Sequence, residues 1–593
     1  LKSCTPRGRA PSRWCLVVCA AAQLHERCAG AAVISGEAMG LCGAKKAPAA
    51  GEPSAACERP RPPPPELEAK ALLGGPPSSQ NSPEGEAATR PHDPPAEPEP
   101  LQTLPEKRSR PPQTWSAVAK ESSLWRARLI MDNRGSVDDY YSVDRQKLGQ
   151  GSYGYVCKGL SRETGATRAV KYLSKARAKG LRMRFRQEIE IMKRVDHPNI
   201  IKLVETFEDS DHIFLVMELC VGGDLYNRLA QHGPFAEGSA ALLMQQIFRP
   251  VCYMHGQGIC HRDLKLENFL LLTEEPVEQN TLKLIDFGFS CPTEPGQMLS
   301  TKLGTPRYSS PQVLAGSYDR SCDLWSCGVI MYMLLSGDAP FDGRSDAEVM
   351  QCVRRGNYRF AAPLWRGASE DSKALVRMLL KYRPEERCDA AAALAHCWIR
   401  ERTPEPSSGA GPRPSIIADL RSFCRQNRLR QAALQIVAQQ LPEEETKAFR
   451  RSFAALDMRG SGVLAVSELA DCLQEDGLSS TPEELRQAVK ELAGGDSVAV
   501  VGYTDFLAAT LDARRHLDQG ACLAAFRAFD RNGDGRISRD ELEELLKSGT
   551  GEVDDATAAD ISDLLEEVDA NRDGAIDFQE FKDMLTGHQL TVL

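Results

Sequence analysis

From about Tyr141 the chain alternates aromatic or β-branched residues with polar ones, as in Tyr153, Tyr155 and Val156 and then Ala169, Val170, Lys171 and Tyr172. Period-two alternation predicts half-buried strands. A helical stretch covers 185–195, and after about Pro234 long runs carry apolar residues at helical spacing. Strands first and helices after predict a two-lobed α+β unit over 143–399. Next, residues 415–441 place Ile416, Ile417, Leu420, Phe423, Leu429, Leu434, Ile436, Val437 and Leu441 at helical spacing, with Arg421, Arg425 and Arg428 on one face. That pattern predicts a basic amphipathic helix. Further on, helix-period residues flank polar loops: Leu523, Phe526 and Phe529 precede one, and Leu542, Leu545 and Leu546 follow it.

The first ~130 residues show no such period. Eighteen of the 37 prolines fall between Pro48 and Pro112, among Glu, Ser and Ala. Such a stretch cannot bury enough apolar area to offset its ordering entropy, so residues 1–135 are expected to be a disordered tether. A proline-rich ligand for an SH3-type domain is the alternative there. Met39-Gly40-Leu41-Cys42-Gly43 stands ahead of Lys45 and Lys46. With Met39 as the true start, Gly40 becomes a myristoylation site and Cys42 a palmitoylation site, and the expected location is cytoplasmic with acyl-mediated membrane association. Ala44 stands where that motif wants Ser or Thr. The competing reading takes Arg7, Arg9 and Arg13 ahead of the apolar run 14–22 as a signal peptide. That run is about half the ~20 residues a membrane-spanning helix needs.

Composition adds exclusions. The chain has 593 residues, 42% hydrophobic and 26% charged, an ordinary globular balance with room for three or four domains. Its 19 cysteines form no CxxC pairs, and Cys252, Cys327 and Cys522 sit in apolar runs, which reads as reduced thiols rather than a disulfide framework or zinc site. The net charge of −9 conceals a division: residues 441–593 carry 33 Asp+Glu against 15 Lys+Arg, a net −18, leaving +9 elsewhere. This argues against nucleic acid and for an acidic cation-binding module tethered to something basic.

Leu148-Gly149-Gln150-Gly151-Ser152-Tyr153-Gly154-Tyr155-Val156 is a glycine-rich turn between two strand-like runs. Glycines there allow phosphate to approach the backbone closely. Ala169-Val170-Lys171 puts a lysine on a strand seventeen residues after Gly154, and Glu188 lies on the helical stretch that follows. His261-Arg262-Asp263-Leu264-Lys265-Leu266-Glu267-Asn268 and Asp286-Phe287-Gly288 complete the series. In this order the residues resemble the protein-kinase signature set over 143–399. The resemblance implies that Lys171, braced by Glu188, holds the ATP phosphates, that Asn268 and Asp286 chelate Mg²⁺, and that Asp263 accepts the substrate hydroxyl proton beside Lys265. Lys265 points to the serine/threonine class. Leu148, Gly149, Gln150, Gly151, Ser152, Tyr153, Gly154, Val156 and Ala169 would line the ATP site, with Met217 as gatekeeper and the backbone of Glu218 and Cys220 bonding adenine. Asp224 and Glu267 match positions that receive an arginine upstream of the phosphoacceptor, and Met333 stands where another acid sometimes occurs. The expected substrates are proteins with one basic residue about three before Ser/Thr, with Thr305 at the substrate lip. Two departures follow: Ser310-Pro311-Gln312 replaces Ala-Pro-Glu, leaving Arg387 a neutral partner, and Thr301 is the expected phosphosite pairing with Arg262.

Residues 530–541 place Asp530, Asn532, Asp534, Ser538 and Glu541 at positions 1, 3, 5, 9 and 12 of a twelve-residue loop, with Gly535 at 6. Asp569, Asn571, Asp573, Gly574, Asp577 and Glu580 repeat the pattern. Arg536 and Ala575, at position 7, would contribute only a backbone carbonyl, leaving side-chain type free there. These are EF-hand calcium loops. Running the period backwards finds residues 457–468, which keep Asp457, Ser461, Gly462, Glu468 and a position-7 carbonyl at Val463 but have Arg459 at 3 and Ala465 at 9, so Ca²⁺ binding there should be weak. Residues 494–505 have lost positions 1, 5 and 6 and are expected only to pair with their neighbour. The four hands are placed at 446–481, 484–517, 518–553 and 558–590, within an all-α calmodulin-like domain over 442–588.

Kinase, basic junction (400–441) and four EF-hands in this order resemble the calcium-dependent protein kinase family of plants and protists across 143–590. The resemblance implies a monomer, using ATP, Mg²⁺ and Ca²⁺, whose junction helix blocks the kinase until calcium-loaded EF-hands capture it. Whether the junction acts as a plug or by distorting the lobes stays open. The other readings are a calcium-regulated scaffold without catalysis and a constitutive kinase with structural EF-hands.

Overall fold

The computed structural model describes residues 129–134, 136–151, 154–177, 182–403, 426–441, 443–465, 500–511, 519–546 and 555–586, with a few single positions besides. Gly40, Cys42, Ser152, Tyr153, Arg421, Arg425 and residues 469–499 lie outside them.

Six strands, β1 (Met131–Arg134), β2 (Tyr141–Gln150), β3 (Gly154–Ser161), β4 (Thr167–Ser174), β5 (Leu203–Glu208) and β6 (His212–Met217), form one sheet in the order β1-β5-β6-β4-β3-β2. Only β1 runs parallel to its neighbour. It also overturns the expectation of an unstructured tether to residue 135. Four residues are too few to show a period; the strand is held by its partners, since Asp132 accepts from Lys193 Nζ at 2.5 Å and from Thr206 Oγ1 at 2.6 Å. Helix α1 (Arg182–Arg194) buries Phe185, Glu188, Ile191 and Met192 on its inner face.

The second lobe is helical. Asp224 caps α2 (Leu225–His232) by accepting from Asn227 N, and α3 (Glu237–Gly256) runs through the core. The short strands β7 (Ile259–Cys260), β8 (Phe269–Leu271), β9 (Leu282–Leu284) and β10 (Cys291–Pro292) pair as β7–β10 and β8–β9. After them come α4 (Pro311–Ala315), α5 (Cys322–Ser336), α6 (Asp346–Arg355) and α7 (Glu370–Leu379). Every residue of α5 is buried, which a helix apolar all round requires. Met192 and Leu203 of the first lobe share one buried cluster with Phe287, Trp325 and Met333 of the second. The described cysteines are free thiols, as expected, and no described helix is long and apolar enough to cross a membrane.

The described elements from Arg428 onward are α8 (Arg428–Gln440), α9 (Glu443–Leu456), β11 (Val463–Ala465), β12 (Val500–Gly502), α10 (Tyr503–Thr510), α11 (Gln519–Phe529), β13 (Arg536–Ser538), α12 (Arg539–Leu546), α13 (Asp555–Val568), β14 (Ala575–Asp577) and α14 (Phe578–Thr586). Two antiparallel loop-to-loop pairs, β11–β12 and β13–β14, join the hands in twos, so the degenerate loop at 494–505 does serve as a pairing partner.

The junction departs from expectation in two ways. Asn427 Oδ1 accepts from Arg430 N at 2.9 Å and starts α8 at Arg428, so Arg428 opens a new helix rather than continuing one helix over 415–441. Nor is α8 amphipathic in its setting, since Leu429 and the run from Ala432 to Gln439 are buried. The helix is enclosed from two directions. Its apolar residues share a core with Phe506, Phe526 and Phe581 of the EF-hand module. Its C-terminal end meets the kinase, where Arg168 Nη2 donates to Gln440 O at 3.0 Å and Lys202 Nζ reaches Ala438 O at 3.5 Å.

The module docks on both lobes. Arg527 of α11 pairs with Glu163 and lies 4.4 Å from the Tyr140 ring centroid. Asp196 accepts from Thr504 N at 2.9 Å and Thr504 Oγ1 at 2.7 Å, Arg249 Nη2 donates to Ala454 O at 3.3 Å, and Lys447 pairs with Glu275 at 2.8 Å. Gly462 approaches so closely that a Cβ there would stand 2.4 Å from the His197 ring.

Candidate active site and calcium loops

Asp263 sits in the loop between β7 and β8. Its Oδ2 accepts from Lys265 Nζ at 2.6 Å, and its Oδ1 accepts from Thr305 N and Oγ1, both at 2.9 Å. Lys265 Nζ also reaches Thr305 Oγ1 at 3.2 Å. A base, an ammonium and a hydroxyl thus occupy one small volume. Arg262 adopts φ 69°, a strained conformation for a side-chain-bearing residue. It persists because buried Asp323, at the start of α5, accepts from His261 N at 2.9 Å, Arg262 N at 2.8 Å and His255 Nε2 at 2.8 Å. Burial alone would raise the Asp323 pKa, but these donors hold it below the ordinary value.

Across the cleft, Lys171 Nζ lies 2.6 Å from Glu188 Oε1 and 3.5 Å from Asp286 Oδ1. Burial opposes the lysine charge, yet the two carboxylates raise its pKa above the usual value, and Lys171 lowers that of Asp286. Asp286 is also left-handed, with φ 63°, and the next residue, Phe287, packs edge-on against the His261 ring at 5.3 Å. Asn268 Nδ2 donates to Asp263 O at 2.8 Å, tying it to the same loop. Asn268 and Asp286 offer oxygen donors, the ligand type a hard divalent cation takes.

The glycine loop divides by role. Gly149 and Gly151 face open space where a Cβ would stand, leaving room for phosphate. A Cβ on Gly154 would meet Tyr172 O at 1.6 Å, so the third glycine serves the β3–β4 pairing. Ala169 and Met217 are register partners, and Leu148 and Val156 flank the loop on β2 and β3. The Glu218 side chain turns away from the cleft to Lys202 N and Lys283 Nζ, both at 2.8 Å. Cys220 is half-buried just beyond.

Glu267 Oε2 accepts from Tyr308 OH at 3.2 Å, and burial raises its pKa, with a further upward push from the charge of Asp224, the half-buried cap of α2. Met333 is buried within α5. Thr301 is exposed; its carbonyl accepts from Tyr318 OH at 2.7 Å, while Arg262 Nε donates to Phe289 O at 2.6 Å. Gln312 Oε1 accepts from Arg387 Nη2 at 3.3 Å, the neutral contact expected, and burial pulls the arginine pKa down to about 10.

In the third hand, Asp530 accepts from Gly533 N at 2.7 Å and Gly535 N at 2.9 Å, while Glu541 spans Arg531 N at 3.0 Å and Ser538 N at 2.8 Å. The fourth repeats this: Asp569 accepts from Gly574 N at 2.8 Å, and Glu580 from Asn571 N at 3.1 Å and Asp577 N at 2.9 Å. Gly535 and Gly574 take φ 84° and 88° at the sharp turn. Asn532, Asp534, Asp573 and the backbone of Arg536 and Ala575 complete two rings of hard oxygen, suited to Ca²⁺. Position 7 is not indifferent to side chain, however, because Arg536 Nη1 crosses the β13–β14 pair to Asp573 Oδ2 at 2.8 Å.

The first hand keeps the same backbone frame, with Asp457 accepting from Gly462 N at 2.8 Å and Glu468 from Ala465 N at 2.9 Å, and differs in its surroundings. Its Asp457 is buried with a raised pKa, from burial first, and lies near the Arg249 guanidinium. Ser461 Oγ donates to Val463 O at 2.8 Å, and Arg459 Nε stands 3.9 Å from Glu468 Oε1. At position 12 of the second hand, Asp505 Oδ1 accepts from Gln435 Nε2 of α8 at 2.6 Å.

Several of these residues escaped the sequence reading. Asp323 left one signal, an acid inside an otherwise apolar fifteen-residue helix. Gln435, Arg249 and Arg527 left none, because their partners are distant in sequence, and Asp505 showed only as the last position of the worn second loop.

The fold and site define a protein kinase joined to paired EF-hands. A protein kinase domain family matches residues 142–399, and an EF-hand domain pair matches 521–586. Calcium-dependent protein kinase 5 of Plasmodium falciparum (isolate 3D7) is 38% identical over 460 residues, covering 77% of this chain and 80% of that protein. Calcium-dependent protein kinase 3 of Plasmodium berghei (strain Anka) is 37% identical, covering 77% and 82%, and calcium-dependent protein kinase 7 of Oryza sativa subsp. japonica is 35% identical, covering 76% and 81%. The chain belongs to the calcium-dependent protein kinase family and is a calcium-activated serine/threonine protein kinase.

Proposed function

We propose that Asp263 positions and deprotonates the acceptor hydroxyl while Lys265 neutralises the transferring phosphoryl group. Lys171, fixed by Glu188, holds the ATP phosphates, and the Glu218 and Cys220 backbone holds adenine. When bound, Mg²⁺ on Asn268 and Asp286 would offset phosphate charge. Asp224 and Glu267 favour protein substrates with one basic residue about three before Ser/Thr, and Thr301 phosphorylation raises activity by pairing with Arg262.

Regulation is intramolecular. Our reading is that the junction obstructs the kinase without calcium, and that the third and fourth hands, on binding Ca²⁺, grip α8. One observation carries this: α8 is enclosed by the EF-hand core and meets the kinase at Arg168 and Lys202, rather than at Asp263 or Lys171. The first loop packs on α3 through Arg249, and with Arg459 at position 3 it binds Ca²⁺ only weakly. The test is peptide phosphorylation by the full chain with Ca²⁺ and with chelator. Activity with calcium alone is expected; none in either condition indicates a scaffold, and equal activity a constitutive kinase.

A further inference from the structure

Arg536 stands at position 7 of the third calcium loop, a position that gives an ion only its backbone carbonyl. Its side chain serves the other hand. Strands β13 and β14 pair so that Arg536 lies opposite Asp577, and its Nη1 reaches Asp573 Oδ2 at 2.8 Å. Asp573 and Asp577 are positions 5 and 9 of the fourth loop, so a guanidinium from one hand is set against the ligands of its neighbour. The exchange runs one way. Position 7 of the fourth loop is Ala575, which lies opposite Ser538 and returns no charge. Arg531, another cation of the third loop, pairs instead with Glu544 of its own hand.

The charges of the two loops are unequal. The third offers an ion the carboxylates of Asp530, Asp534 and Glu541, whereas the fourth offers those of Asp569, Asp573, Asp577 and Glu580. Affinity in such loops follows ligand charge, so the fourth hand on its own would fill at lower calcium than the third. Arg536 offsets the additional carboxylate. Holding Asp573 in place works in the opposite direction, but weakly. The Arg536 side chain is 57% exposed, and exposed ion pairs order their partners little. Asp573 is also held without it, since its Oδ1 accepts from Ala575 N at 3.2 Å and its N donates to Asn571 Oδ1 at 2.8 Å. Repulsion between a guanidinium and a divalent ion scales with the product of their charges and persists when the pair opens. The balance falls against the ion.

We infer that the Arg536 side chain sets the calcium affinity of the fourth hand, weakening it until both hands load over the same calcium range. The inference rests on the reading that the third and fourth hands bind Ca²⁺. It makes one residue part of both sites, by its backbone in the third and by its charge in the fourth.

The test is a calcium titration of the full chain by isothermal calorimetry, which reads binding directly. Arg536→Gln should tighten the fourth hand about two- to tenfold and pull the two binding steps apart. Arg536→Lys, which keeps the charge, should stay near wild type, and added salt should shrink the gain in Arg536→Gln. Arg531→Gln removes a cation of the same loop without the crossing contact and should leave the fourth hand unchanged. In Glu580→Gln, which takes the twelfth ligand from the fourth hand, the gain from Arg536→Gln should vanish. No gain or a loss of affinity in Arg536→Gln, an equal gain in Arg531→Gln, or a gain that survives Glu580→Gln would overturn the inference while leaving calcium binding intact. A wild type that binds no calcium at these two hands would overturn the underlying reading as well.

Discussion

Asp323 contributes no atom to the cleft, yet His255, His261 and Arg262 converge on its carboxylate and fix the backbone that carries Asp263. Removing one member of such a buried set leaves the others uncompensated, so Asp323→Ala should cost about 3–5 kcal/mol in thermal or urea unfolding. The pH dependence has a defined sign. The folded-state pKa of Asp323 is depressed, so its contribution is present above the unfolded value near 3.8 and is lost as pH falls through the lower folded value. The stability gap between wild type and variant should therefore hold at neutral pH and close only below about pH 4. Asp263→Asn tests the chemistry instead: it should leave the melting temperature near that of wild type while lowering kcat by about 10²–10⁴-fold in a peptide assay. Residues that face ATP were legible because phosphoryl transfer demands fixed types at fixed spacings. Glu188, which braces Lys171, was legible for the same reason, whereas Asp323 showed only as an acid in an apolar run, with nothing to say which backbone amides it holds.

At the scale of elements, periodicity identified the strands of the first lobe, the helices of the second and both competent calcium loops. It failed where partners decide the outcome. Strand β1 is four residues stitched by Lys193 and Thr206, and α8 looked two-faced because its second covering surface, at Arg168 and Lys202, lies 272 and 236 residues away. The break at Asn427 was equally hidden, since a cap is recognised by the helix it starts. Burial on all sides makes α8 intolerant of charge. Val437→Asp places a carboxylate in the core shared with Phe506 and Phe526, and should reduce the calcium-dependent increase in peptide phosphorylation at least tenfold. Activity in chelator should stay at its basal level, measured in parallel on the same preparation.

Across the whole molecule, the docking pairs run against the net charges of the two halves: the acidic module supplies the cations and the basic remainder the carboxylates. Arg527 joins Glu163 and Tyr140 on the first lobe, and Lys447 joins Glu275 on the second. Reversing one contact, as in Arg527→Glu, sets two carboxylates face to face and should raise the half-maximal Ca²⁺ for activation by about two- to tenfold, an effect that diminishes at high salt. A calcium titration of activity at low and high ionic strength reads both parts. One contact in this assembly takes a position that a competent loop gives to its ion. Asp505 stands where a functioning loop would give its twelfth ligand to the ion, and it gives that carboxylate to Gln435 instead. A hold made by a position that takes no ion is not released when the ion leaves, so on the proposed reading this contact to the helix outlasts each calcium pulse. Re-arming then becomes a tethered, first-order event at an effective concentration on the order of millimolar, independent of how many copies of the enzyme surround it. The worn half of the module supplies memory of position, and the intact half supplies the signal.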